Sequence, residues 1–158
     1  MLKKSLILAT GFAAFAVPAL SHEYEKDSLR IDHPYTFEVP TTAKTAAGFM
    51  TITNSGANDD RLIEVEADFP VSQLHKSEEV DGVMKMMHQE HGILIPAGET
   101  VDLAPGGYHV MFMGLENGQL EDVESFPGTL VFENAGEVTV EFKIEERDGS
   151  DGHSHHAH

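Results

Sequence analysis

Three short stretches of this chain carry side chains that bind soft and borderline metal ions. "SQLHKSEEV" holds His75, "DGVMKMMHQEH" holds Met84, Met86, Met87 and His88, and "GGYHVMFMG" holds His109, Met111 and Met113. In an extended strand, successive side chains point to opposite faces. His109, Met111 and Met113 then share one face while Val110 and Phe112 share the other; likewise Met84, Met86 and His88 share a face, with Lys85 and Met87 opposite. Thioether sulfur is soft, neutral and never protonated in water, so a site of His and Met selects copper(I) over zinc, calcium or magnesium. A lone methionine on a strand more often packs than ligates, and Met50, like His33 before Pro34, takes that reading. His109 with Met111 differs, because one face is devoted to two donors while the other supplies apolar side chains to a core.

The elements that must position these donors follow from composition and patterning. The chain has 158 residues, 41% of them hydrophobic, enough for one ordinary core. There is no cysteine, which excludes a disulfide framework, a thiolate zinc site and a blue-copper centre. The formal net charge of −17 repels nucleic acid and anionic lipid and concentrates cations near the surface. Short β-type runs recur between turn residues: "SLRIDH", "GFMTITN", "RLIEVEA", "SQLHKS", "GVMKMMH", "ETVDLA", "YHVMFMG", "TLVFEN" and "EVTVEFKIEE". This pattern predicts an all-β fold, an antiparallel Greek-key barrel or sandwich of about seven to nine strands.

At the ends, Lys3 and Lys4 precede an apolar run from Leu6 to Leu20, with Ala19 and Ser21 placed as a cleavage site. Residues 1–21 are therefore expected to be a secretory signal peptide, and the run is shorter than the ~20 residues that span a bilayer. Residues 22–147 are expected to form one copper-binding β domain, exported and without stable membrane insertion. Residues 148–158, with His153, His155, His156 and His158, read as a disordered His-rich tail. Flexible imidazoles there suit weak binding of copper(II) or zinc.

In combination, these residues resemble the PCuAC family of periplasmic copper(I) chaperones, whose signature is a His, ten residues, a Met, about twenty-one residues, then His-x-Met, on a cupredoxin-like barrel. Ten residues separate His75 from Met86, and His109-Val110-Met111 supplies the last element. The phrases "DGVMKM", "IPAGETVDLAPGGYHVMFMGL" and "HPYTFEVPTTAKTAAGFMTITNSG" are similar to the family's wording, so the resemblance covers roughly residues 28–145. Between Met86 and His109 lie twenty-two residues, one more than the family spacing, whereas Met87 leaves twenty-one but then sits eleven from His75. Met86 is taken as the middle ligand, because "GVMKM" aligns there and one extra residue in "MHQEHG" accounts for the difference. Met87 is expected to point the other way, and to pack if that face meets the core. Tyr35 stands where many relatives carry Trp and is expected in the core.

The resemblance implies a metal site of His75, Met86, His109 and Met111. It also implies a monomeric, non-enzymatic carrier of copper(I) that hands its ion to a copper-dependent acceptor protein, such as a cytochrome oxidase under assembly. Two other functions compete with it. Cleavage before His22 would expose an N-terminal histidine able to chelate copper(II) in an oxidative enzyme, and a plain structural β-sandwich would carry its methionines by chance. No Ser, His and Asp arrangement suggests hydrolase chemistry.

Overall fold

Alternating apolar and polar residues build nearly every element of this protein. The computed structural model describes residues 23–147; the expectations for the signal segment, for His22 and for the His-rich tail lie outside the described residues. Eleven strands follow in order: β1 (Glu23–Lys26), β2 (Leu29–Phe37), β3 (Thr45–Asn54), β4 (Asp60–Ala67), β5 (Val71–Val80), β6 (Val83–His88), β7 (Ile93–Ile95), β8 (Thr100–Leu103), β9 (Tyr108–Met113), β10 (Ser125–Phe132) and β11 (Gly136–Glu145). They form one mixed sheet in the order β6-β5-β9-β8-β3-β2-β11-β10-β4-β7, with β1 on β2 and a further pairing of β9 with β3.

The sheet curls around a single apolar interior. Leu29 and Ile31 of β2, Met50 and Ile52 of β3, Leu62 and Val65 of β4, Leu74 of β5, Val110 and Phe112 of β9, Leu130 and Phe132 of β10 and Val140 and Phe142 of β11 meet there. Burying one such side chain stabilises by ~1.5 to 3 kcal/mol, so the inward-facing period-two rows hold the sheet in this curl. Gly48 has to be small: a Cβ there would lie 2.8 Å from the ring of Phe112. Met50, read as packing, is in this core at 2% exposure.

Three expectations need correction. The nine runs all become strands, but β1 and β7 raise the count to eleven. The sheet is also not purely antiparallel, because β11 pairs with β2 in parallel from Lys143↔Tyr35 to Glu145↔Phe37, and β8 touches β9 in parallel at Leu103↔Tyr108. Finally, Tyr35 stands outside the core cluster on the outer side of β2, its ring 5.3 Å from that of Phe49 and 5.4 Å from that of Phe37. Beside it, His33 adopts a left-handed φ of 50° where the pairing of β2 with β3 shifts, and its Nε2 lies 3.0 Å from Glu145.

The part that matters for chemistry is the end of the sheet where β6, β5 and β9 lie side by side. β5 and β6 are joined by Asp81 and Gly82, both at positive φ, 55° and 77°. Two consecutive left-handed residues make the tight hairpin turn whose twist matches its strands. Its register runs from Val80↔Val83 through Ser77↔Met86 to His75↔His88. Every residue of β6 is exposed, so this strand reaches beyond the core as the sheet's edge.

Candidate metal centre

The register of the three strands collects the candidate donors on one face. His75 is opposite His88 on β6 and opposite His109 on β9, so three imidazoles form one rung across the sheet. One same-face step toward the hairpin turn, Met86 stands opposite Ser77. One step the other way, Met111 stands opposite Gln73, and a further step brings Met113 opposite Val71. All four residues named from the sequence, His75, Met86, His109 and Met111, therefore share this face. Met87 pairs with Lys76 on the opposite face. It is 38% exposed, so its face does not meet the core: β6 overhangs the interior and both of its faces meet water.

The two histidines nearest the core have one ring nitrogen each committed to a carbonyl-type oxygen. Nδ1–H of His109 donates to the backbone oxygen of Gly107 at 3.0 Å, and Nε2–H of His75 donates to Oε1 of Gln73 at 3.1 Å. An imidazole that donates from one nitrogen presents a lone pair on the other. In His75 that second nitrogen, Nδ1, is buried and has no hydrogen-bond partner. A buried acceptor without a partner is costly to a fold, and a metal ion would satisfy it. This pattern, one nitrogen held by an oxygen and the other open, is the one that orients metal-bound histidines. Burial, and next the charges that His109 and His88 would carry, hold the His75 ring below its ordinary pKa, so the lone pair is protonated less readily than that of a free imidazole.

The donors are in a row. The His75 ring centroid is 5.4 Å from that of His88 and 5.9 Å from that of His109, and among the described residues no three His, Cys, Asp or Glu side chains already surround one point as metal ligands. The structure brings His75 and His109 together and sets Met111 beside them. It leaves Met86 on the outer strand of the three, diagonal to His75 across the β5–β6 pair. Burial is graded across the row. His109 is only 4% exposed, His75 and Met111 are half-buried, and Met86 is 50% exposed.

His88, the third member of the rung, stands outside the four-residue set that the sequence resemblance implies. The signal that finds it is the Asp81-Gly82 pair: a two-residue turn pairs Val80 with Val83, and counting five residues outward on each strand pairs His75 with His88.

Comparison with known proteins supplies relatives for this arrangement. Residues 29–144 match the LpqE-like family model, described as "Putative lipoprotein LpqE-like". A Leifsonia xyli subsp. xyli protein described as "Putative lipoprotein" is 31% identical over 105 residues, a match that takes in 66% of this chain and 63% of the relative's own length. Among solved structures, the apo PCuAC domain from PmoF1 is 28% identical with a TM-score of 0.66, covering 80% of this chain and 100% of that one. The copper-bound PCuAC domain from PmoF2 is 31% identical with a TM-score of 0.64, covering 80% of this chain and 99% of that one.

Proposed function

This chain belongs to the LpqE-like family and to the PCuAC-like copper chaperones, and from that premise we propose that it is an exported carrier of copper(I) that binds the ion through His75, Met86, His109 and Met111. The observation that carries the proposal is the buried, unpartnered Nδ1 of His75 on the same sheet face as His109 and two thioethers. Neutral imidazole and thioether donors fit copper(I), which tolerates low coordination numbers and soft ligands. No thiolate is present to be oxidised, so the site suits an oxidising compartment.

The carrier mechanism follows from this chain's own residues. The carbonyl of Gly107 and the side chain of Gln73 hold the two rings in fixed tautomers, the apolar interior beneath Val110 and Leu74 keeps β9 and β5 rigid, and the open outer face admits an acceptor's ligands. Nothing in the row requires the ion to change oxidation state, and release by ligand exchange suits a carrier better than a catalyst. Export follows from the signal-like residues 1–21. The family description names a lipoprotein, but none of these 158 residues is a cysteine that could bear a thioether-linked lipid. The acceptor is proposed to be a copper-dependent protein such as a respiratory oxidase under assembly.

A titration of the full chain with copper(I) against a competing chelator tests the reading. One tightly held equivalent is expected in the wild type and its loss in His75→Ala; no copper taken from the chelator by the wild type would end the proposal.

A further inference from the structure

We propose that strand β6 is a modification site, at which oxidation of Met84, Met86 and Met87 to sulfoxides switches off copper(I) binding without unfolding the protein. The effect on copper rests on the carrier reading above; the oxidation itself does not. The described methionines divide by what covers them. Met50 lies in the core and Met111 and Met113 of β9 are half-buried, whereas Met84, Met86 and Met87 are 58%, 50% and 38% exposed. These three stand within four consecutive residues of an edge strand that is exposed along its whole length. The chain has no cysteine, so no thiol is present to consume an oxidant first.

The oxidant that suits such a strand is a two-electron oxygen donor of the hypochlorous acid class. The thioether sulfur gives up two electrons and gains the oxygen as a sulfoxide, while hypochlorous acid leaves as chloride and a proton. The soft donor is lost with those electrons: a sulfoxide presents a hard, polar oxygen, and copper(I) selects soft ligands. The site then keeps His75, His109 and the better covered Met111 but loses Met86.

Position makes this a switch rather than a lesion. A sulfoxide at Met50 would place a polar group in the apolar interior, whereas the same change on β6 falls where the side chains already meet water. The β5–β6 hairpin is held by its backbone register from Val80↔Val83 to His75↔His88 and by its two-residue turn, neither of which uses a methionine side chain. The sulfoxides stay accessible on the edge strand. A methionine sulfoxide reductase, supplying two electrons and two protons and releasing water, therefore restores the thioethers and with them the site.

The test treats the metal-free full chain with a small excess of hypochlorous acid, locates sulfoxides by peptide mass spectrometry and then measures copper(I) uptake against a competing chelator. The expected result is sulfoxide at Met84, Met86 and Met87 with Met50 unmodified, at least tenfold weaker copper(I) binding, an unchanged circular dichroism spectrum, and recovery after methionine sulfoxide reductase. Met86→Leu isolates the switch: it starts weaker, and oxidation should leave its affinity where it was. Sulfoxide at Met50 before Met86 overturns the modification site. Affinity within twofold of the untreated protein once Met86 is oxidised, or a further tenfold loss in oxidised Met86→Leu, overturns the switch. A wild type that takes up no copper(I) before oxidation is the separate failure of the carrier reading; the switch falls with it, and the sulfoxide positions still decide the modification site.

Discussion

At the scale of single residues, the chemistry turns on which ring nitrogens are free. His75 supplies the open, buried nitrogen of the site, so His75→Ala is expected to weaken copper(I) binding at least tenfold, about 1.4 kcal/mol, measured by chelator competition. In the metal-free protein its ring is held below the ordinary value of 6.5 by burial first and by its two histidine neighbours next. The unfolded chain therefore binds the proton more readily than the folded one, and stability rises with pH between the depressed folded value and 6.5. The contribution is complete above pH 6.5 and is lost as pH falls through the folded value. Following the His75 ring protons by NMR in the absence of metal should give a midpoint under 6.5, and a midpoint above it would contradict the burial of Nδ1. Met87 is the internal control. Because it is exposed on the other face, Met87→Ala should cost under about 1 kcal/mol of stability and leave copper affinity unchanged, by urea melts and the same competition. Face assignments of this kind were legible in the sequence, since they need only the period of two. The commitments of His75 to Gln73 and His109 to Gly107 were not, because they depend on rotamers that only a folded neighbourhood selects.

At the scale of elements, the β5–β6 hairpin decides whether any thioether meets an imidazole. Its Asp81-Gly82 turn fixes the register, and a one-residue slip would turn Met86 and His88 to the far face and bring Lys85 and Met87 onto the site. Gly82 sits at φ 77° with nothing within 4 Å of the place where a Cβ would stand. The cost of Gly82→Ala is therefore backbone strain alone, about 1 to 2 kcal/mol. That cost falls on an edge strand outside the core. Amide exchange over Val83–His88 is expected to accelerate, while exchange at Val110 and Phe112 in the core strand β9 stays at the wild-type rate. Equal acceleration in both strands would show that the hairpin is part of the cooperative core and that its exposure misleads. The sequence carried the strands of this hairpin and its turn dipeptide. Placing β5 next to β9 was beyond it, because the contact is set by how the whole sheet curls.

At the scale of the whole molecule, nine of the eleven strands could be read from alternation and turn residues, and the two that could not have physical reasons. β7 is three residues long, too short to show a period, and β1 is a run of Glu, Tyr, Glu and Lys whose pairing with β2 gives it order that its own composition does not. The parallel contact of β11 with β2 escaped for another reason: it joins segments more than a hundred residues apart in sequence, and no local pattern encodes it. That long-range closure nevertheless links the site to global stability. β5 and β9 place Leu74, Val110 and Phe112 in the one core that all the long strands share, so an ion bound on their outer face is released when the core melts. Copper(I) at a hundredfold excess over its dissociation constant should then raise the unfolding free energy of the full chain by ~2.7 kcal/mol, read as a higher melting temperature under reducing conditions. His75→Ala in the same full chain should lose this shift while keeping whatever weak binding the tail histidines provide. If the wild type competes with a chelator for copper yet melts at the same temperature with and without it, the ion is held on a part of the chain that does not unfold with the core, and the site assigned to β6, β5 and β9 is wrong.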